Sequence, residues 1–336
     1  MIGGAVGDAL GCPVEFMSFN EIKQKYGDDG ITDLVIGANG KAKITDDTQM
    51  SIFTADGLLR ADTRFCSKGL CSASNIVYNS YLRWLYTIGE VEKEKVQGLL
   101  DGWLMEVKEL YAVRSPGITC LSALKSGKKG TIEKPINNSK GCGGVMRAAP
   151  VGLFCTKESA FRLGCDIAAL THGHPSGYLA AGVLAHIITL IVDGLEIEEA
   201  VLDALEVMSD YNGHEECSLK IQEALELVKS DISPQEAVKK LGEGWVGDEA
   251  IAISLYCALK SKDDFKNALK MAVNHDGDSD STGAITGNIL GAYLGIGGIP
   301  NRWVENVELS DVLIRLADDL LTGFQETEEW RARYPG

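Results

Sequence analysis

Proline, basic charge and paired cysteines are what this 336-residue chain lacks. Its 8 prolines leave long stretches free to form helix. No two of its nine cysteines (Cys12, Cys66, Cys71, Cys120, Cys142, Cys155, Cys165, Cys217 and Cys257) stand in C-x-x-C spacing, and their number is odd. That argues against a disulfide framework and a thiolate zinc cage, and for reduced thiols in a cytoplasmic protein. Lysine and arginine number 32 against 48 acids, a net charge of −16. Such a surface repels nucleic acid and anionic membrane. The segment Met1–Asp8 has no basic n-region and carries an early aspartate, unlike a signal peptide. Two apolar stretches fall short of membrane spans. Tyr178 to Val192 is too short and contains His186, and the uncharged run Ser281 to Pro300 holds six glycines. Both read as buried core helices. With no Pro/Gly/Ser-rich linker and no internal repeat, residues 1–336 are expected to form a single domain.

What the chain does have is helical periodicity. Apolar residues fall at Phe265, Ala268, Leu269, Ala272 and Val273, one face of a helix. Met50–Leu58, Arg83–Tyr86, Leu99–Val107, Phe161–Leu170 and Val312–Leu320 read the same way. Ser233-Pro234-Gln235-Glu236 is a helix start, with a capping serine, proline at the first helical position and an acid in the first turn. Ile31–Ile36 is the best strand candidate. The expectation is an all-α protein of more than ten helices.

Three local patterns carry chemistry. The stretch Lys125–Gly144 reads as a loop with a local charge of +4, ending in Gly141-Cys142-Gly143-Gly144. It is either a solvated loop or an anion seat whose backbone amides cradle phosphate. Gly283, Gly287, Gly291 and Gly295 recur every four residues and would let another backbone approach one helix face. The third pattern is a pair of acidic clusters, Thr45-Asp46-Asp47-Thr48 and Asp276-Gly-Asp278-Ser-Asp280-Ser281, each directly before a helical stripe. Helix capping explains one acid in each. The surplus aspartates repel one another unless a cation neutralises them, and carboxylate and hydroxyl oxygens suit Mg²⁺, Mn²⁺ or Ca²⁺. The second cluster is no EF-hand, because positions six and twelve are Ser281 and Gly287. Nor does it follow an early strand, as the D-x-D-x-T of a haloacid-dehalogenase phosphatase should.

Taken in order, Gly7-Asp8-Ala9-Leu10-Gly11 with Glu15, Thr45-Asp46-Asp47-Thr48, Gly141-Cys-Gly-Gly-Val-Met-Arg147, Thr171-His172, Gly244-Trp245-Val246 and Asp278-Ser-Asp280-Ser281 resemble the motifs of the ADP-ribosylglycohydrolases. The resemblance covers residues 3 to about 296. It implies an orthogonal multi-helix bundle with a dinuclear metal site in a central cleft. The two cations, Mg²⁺ or Mn²⁺, would be held by Thr45, Asp46, Asp47, Asp278, Asp280 and Ser281, where the family usually has threonine in place of Ser281. Gly141, Cys142, Gly143 and Gly144 would cradle a diphosphate, with Cys142 a small filler. His172 would border the far part of the pocket and Trp245 would stack near adenosine. Glu15, with Asp47 beside the metals, would serve the chemistry. The other histidines, His174, His186, His214 and His275, read as structural.

The implied activity is hydrolysis of the bond between ADP-ribose and a protein side chain, with arginine favoured over serine, by a monomer that releases ADP-ribose. Two alternatives stay open: action on another ADP-ribose conjugate (a nucleic-acid end, a small molecule or O-acetyl-ADP-ribose), and a non-catalytic crystallin-like relative. Retention of all six ligand positions and Glu15 favours an enzyme.

Overall fold

The computed structural model describes residues 1–336 and contains eighteen α-helices with no sheet. The first half holds α1 Ile2–Gly11, α2 Phe19–Tyr26, α3 Asp46–Lys68, α4 Ala73–Thr87, α5 Lys93–Val96, α6 Ile118–Lys125, α7 Ala149–Phe154 and α8 Lys157–Ala169. The second holds α9 Pro175–Val192, α10 Ile197–Met208, α11 Glu215–Val228, α12 Pro234–Leu241, α13 Gly247–Lys260, α14 Phe265–Val273, α15 Ser279–Leu294, α16 Asn301–Asn306, α17 Ser310–Thr322 and α18 Glu328–Arg333. The all-α expectation holds. Helix starts follow the local chemistry: Ser18 and Ser233 each complete a capping box, with Glu21 and Glu236.

The innermost helices are α1, α9, α13, α15 and the first two-thirds of α3. Helix α9 is buried on all sides from Ser176 to Ile191, as an apolar core helix should be. Its one histidine, His186, hydrogen-bonds Asp203 at 2.7 Å. His214 meets Ser218, His174 caps α9, and His275 bonds Thr282.

Two sequence expectations fail. Ile31–Ile36 forms no strand; only isolated bridges occur there, such as Ile36 to Ala42. The Ile31 N–H is taken by the Asn274 side chain at 2.8 Å, so no neighbouring strand is needed. Leu99–Val107 forms no α-helix: Leu99 ends one 3₁₀ turn, Gln97–Leu99, and Trp103–Glu106 makes another. Gly102 sits at φ 83°, and two buried arginines claim the backbone carbonyls. Arg83 Nε donates to Leu99 O (2.6 Å) and Arg60 Nη2 to Asp101 O (2.6 Å).

The crossing of α1 and α15 positions the site. Gly3 lies on Gly287 and Gly291, Gly7 on Gly283, and Gly11 on Ser279. The register is antiparallel, with the end of α1 beside the start of α15. A Cβ on Gly3, Gly7, Gly283 or Gly287 would land on the opposing carbonyl. Each glycine costs up to about 1 kcal/mol of helix propensity, which close backbone contact offsets. Gly295 does not share this face; it ends α15 in a positive-φ conformation. Gly287→Val should therefore lower stability by about 1–3 kcal/mol or more through overpacking. The control is Gly297→Ala, whose Cβ would meet nothing within 4 Å. Circular dichroism melting checks this, and equal melting temperatures for the two variants would refute it.

Candidate active site

Because α1 ends on the start of α15, the turn that follows, Cys12–Phe16, reaches the N-terminus of α15. Val14 is fully buried and pins that turn, and Glu15 N–H bonds back to Gly11 O at 3.0 Å. Helix α3 brings its own N-terminus to the same place. Thr45 caps it, and Asp46 and Asp47 occupy its first turn. Asp8, wholly buried in α1, ties the two together. Its carboxylate accepts from Thr45 N–H (3.0 Å), Thr48 N–H (3.2 Å) and the Thr48 hydroxyl. Across from them Asp278 caps α15, accepting from Ser281 N–H at 3.3 Å, and Asp280 accepts from the same N–H at 3.0 Å.

A second wall comes from two loops paired by backbone. Cys142 N–H donates to Trp245 O (3.1 Å) and Gly247 N–H to Lys140 O (2.8 Å). Asp278 N–H donates to Glu243 O (2.8 Å), fixing this wall to the start of α15. His172 packs its ring under Gly141 and Gly143; a Cβ on Gly143 would meet His172 Cε1 at 2.9 Å and Cys120 Sγ at 3.0 Å.

These walls enclose a cleft of about 390 Å³, within the range of small-molecule sites. Glu15, Asp46, Asp47, Gly141, Cys142, Gly143, His172, Trp245, Asp278, Asp280 and Ser281 all line it. Thr45 stands behind the wall, its hydroxyl accepting from Asp47 N–H. Gly144 faces away: a Cβ there would meet Gly177 O and Ala168, so its smallness serves the packing of α8 and α9. Cys142 is more than a filler, since its thiol donates to Asp278 Oδ2 at 2.8 Å. The lysines of the preceding loop do not feed the seat. Lys125 pairs with Glu90, Lys140 with Glu216, and Lys129 bonds Asn75. No lysine or arginine lines the cleft. Sequence reasoning missed Asp8 as the brace, Phe16, and the rim Ser115–Cys120. It also left Arg147 unassigned, a fully buried cation that donates to Thr171 Oγ1 (2.7 Å) and Cys120 Sγ (3.3 Å) just beneath the glycine seat. The repeated acids gave Asp46 and Asp47 away; nothing in the spacing marks a single aspartate or an aromatic after a turn.

The electrostatics follow from burial. Glu15 is pushed up to about 9 by burial, then by Asp280 and Asp46. Asp8 rises to about 7, again through burial and Asp280. Asp46, Asp47 and Asp278 are raised well above the carboxylate range, burial being the largest cause for each. Burial lowers His172 to about 3, so its imidazole is neutral. Hard oxygen donors dominate, and Asp47 Oδ2 is buried without any hydrogen-bond partner. Those features fit divalent cations. No three His, Cys, Asp or Glu side chains form a ready cage, so a cation would have to draw them together.

Raised carboxyls have a stability consequence. Each binds its proton more tightly folded than unfolded, where the value is about 4. Their contribution is complete below that pH and is lost as pH rises through the folded values, about 7 for Asp8 and about 9 for Glu15. In EDTA the protein should therefore melt at a higher temperature near about pH 5.5 than near about pH 8.5. A melting temperature that climbs over this window would contradict the assigned burial.

A family profile described as ADP-ribosylglycohydrolase matches residues 1–330. Among curated relatives, the chain is similar to the ADP-ribosyl-[dinitrogen reductase] glycohydrolase of Rhodospirillum rubrum, at 26% identity over 92% of this chain and 88% of that one. It is also similar to an ADP-ribosylarginine hydrolase of Pseudomonas putida (strain GB-1), at 23% identity over 98% of this chain and 78% of that one. A solved structure, described as an ADP-ribosylglycohydrolase-related protein complex, shares the fold with a TM-score of 0.62 and 23% identity, covering 95% and 94% of the two chains.

Proposed function

The chain belongs to the ADP-ribosylglycohydrolase family, and from that membership we propose that it cleaves the glycosidic bond joining ADP-ribose to a protein arginine, releasing ADP-ribose and the unmodified side chain. The observation that carries this reading is the convergence of Glu15 with Asp46, Asp47, Asp278 and Asp280 in one cleft beside the Gly141–Gly143 seat. Arginine as the acceptor draws support from the name of the Pseudomonas putida relative. Serine linkage is the competing acceptor, and the experiment below decides between them.

In this reading Asp46, Asp47, Asp278, Asp280 and Ser281, which line the cleft, would hold two divalent cations, Mg²⁺ or Mn²⁺, with Thr45 reaching them from behind the wall. Bound there, the cations would supply Lewis-acid polarisation and an acidified water. The residues of the chain do the rest. Gly141 and Gly143, resting on the His172 ring, would present backbone to a diphosphate in the cleft. His172, neutral and held by Thr171 (2.9 Å), shapes the floor without adding charge. The surrounding carboxylates favour positive charge developing at the anomeric carbon, as in glycoside hydrolysis generally. Glu15 moves the proton. It either takes one from the attacking water or gives one to the departing nitrogen.

The direct test incubates the protein with arginine-linked and serine-linked ADP-ribosyl peptides, with Mg²⁺, Mn²⁺ or EDTA. Release of ADP-ribose from the arginine peptide, abolished by EDTA and by Asp278→Ala, is the expected result. No release from either peptide with either cation would overturn the reading. Glu15→Gln keeps size but removes basicity and charge. It should reduce turnover about 10²–10⁴-fold, with ADP-ribose affinity by calorimetry changing far less. Equal loss of rate and affinity would make Glu15 a structural residue.

A further inference from the structure

The residue after Glu15 is built unlike its neighbours. Phe16 adopts a left-handed backbone, φ 65°, which side chains other than glycine rarely take. It is also 71% exposed, although it is a large aromatic. Both features have one visible outcome. The left-handed step turns Phe16 outward while Glu15 stays in the cleft, and the Phe16 ring stacks on Trp245 with centroids 5.1 Å apart and planes 20° from parallel.

Trp245 is well placed to serve as an anchor. Its carbonyl accepts from Cys142 N–H (3.1 Å) and its indole N–H donates to Glu243 Oε2 (3.1 Å). Glu243 O in turn holds Asp278 N–H at 2.8 Å. The stack therefore joins the α1–α2 turn to the opposite wall of the cleft, across 229 residues of sequence between Phe16 and Trp245. On either side the turn is fixed by the buried Val14 and by Phe19 N–H, which donates to Asp276 Oδ1 at 2.7 Å. Between those points Glu15 stands among carboxylates, with no lysine or arginine in the cleft to hold it there. One face of Trp245 is taken by Phe16, so that face is not free for a nucleoside.

We infer that Phe16 is a positioning residue for Glu15: stacked on Trp245 across the cleft mouth, it keeps the Glu15 carboxyl aimed at the cluster of Asp46, Asp278 and Asp280. The inference rests on the hydrolase reading, in which Glu15 handles the proton. It adds a second determinant of rate at the cleft mouth, apart from the carboxylates that would hold the cations.

The experiment compares Phe16→Ala, Phe16→Tyr, Trp245→Ala and the Phe16→Ala/Trp245→Ala pair, using turnover of an arginine-linked ADP-ribosyl peptide and calorimetry with ADP-ribose. A spectroscopic readout comes from fluorine NMR of 5-fluorotryptophan-labelled protein, the Trp245 signal being the one lost in Trp245→Ala. Phe16→Ala should lower kcat by about 10–100-fold, the scale expected when a reacting group is misplaced by an ångström or so. ADP-ribose affinity should stay within about threefold of wild type, since ground-state binding is not what the stack supplies. Phe16→Tyr should restore the rate, and the Trp245 signal should move in Phe16→Ala and return in Phe16→Tyr. The effects on kcat should couple, the double variant being within about twofold of Phe16→Ala alone. Independent multiplication of the two effects, or an unchanged kcat in Phe16→Ala beside an active wild type, would overturn this inference alone. A wild type inactive on the arginine and serine peptides would overturn the hydrolase reading and this inference with it.

Discussion

The glycine-to-glycine crossing of α1 and α15 is the constraint on which the rest depends. Two helices that touch through backbone have little freedom to slide, because any side chain between them would collide with a carbonyl. The antiparallel register set by Gly3–Gly287 and Gly7–Gly283 brings Gly11 onto Ser279. That contact places the end of α1 and the turn holding Glu15 against Asp280. Asp8 then extends the same rigidity sideways by accepting the first-turn amides of α3. Three sequence segments, more than two hundred residues apart at their extremes, are thus fixed to one another by backbone geometry and one buried carboxylate.

The treatment of buried acids differs between this site and the rest of the fold. Away from the cleft, Asp56 is buried with Arg60 at 2.9 Å and Arg83 at 3.3 Å, and Ser80 completes its hydrogen bonds. This is the ordinary requirement that a buried charge be paired. At the cleft the acids converge with no arginine or lysine among them. Helix N-termini and backbone amides satisfy part of their need, and they share protons for the remainder, as the upward shifts of Glu15 and Asp8 express. The one buried cation close by, Arg147, faces Thr171 and Cys120 beneath the glycine seat instead of the carboxylates. The charge is therefore separated across the cleft wall: acids line the cleft where a glycosidic bond would break, and Arg147 lies buried outside it, beneath the place a diphosphate would rest. That separation supports the proposed orientation of an ADP-ribose group.

How much of this was legible in the sequence depended on whether a feature was local. The capping Ser233, the spacing of Gly283, Gly287 and Gly291 and the doubled acids before two helical stripes are local, and the structure has a helix start or helix face at each. Leu99–Val107 was misread because its carbonyls are satisfied by Arg83 and Arg60, residues from distant helices that leave no periodic trace. The basic loop left two readings open for a similar reason. Counting lysines gives a charge, but each acid that neutralises Lys125 or Lys140 lies elsewhere in the chain. Gly144 and Gly143 are neighbours in one glycine run, yet the first packs between α8 and α9 and the second rests on His172 and Cys120 at the cleft. Only the direction of each Cα distinguishes them, and that direction is set by tertiary contacts.

The two ends of the cleft are built to different tolerances. The carboxylate end is made of helix termini whose residues are almost wholly buried, from Asp46 and Asp47 to Asp278 and Ser281. The mouth is made of turns. Phe16 and Ser115 both hold positive φ, and Phe16 and Ile118 are among the most exposed large apolar side chains in the protein. A substitution at the buried end must satisfy a close-packed interior as well as any chemistry, whereas one at the mouth meets mostly solvent and a docking side chain. Change in what the cleft accepts is therefore cheapest at Ser115 and Ile118, and change in what it does to a glycosidic bond is most restricted at the crossing of α1 and α15. The stack of Phe16 on Trp245 is the point where the adaptable end reaches the constrained one, since it belongs to the mouth by exposure and is joined to Glu15 by a peptide bond.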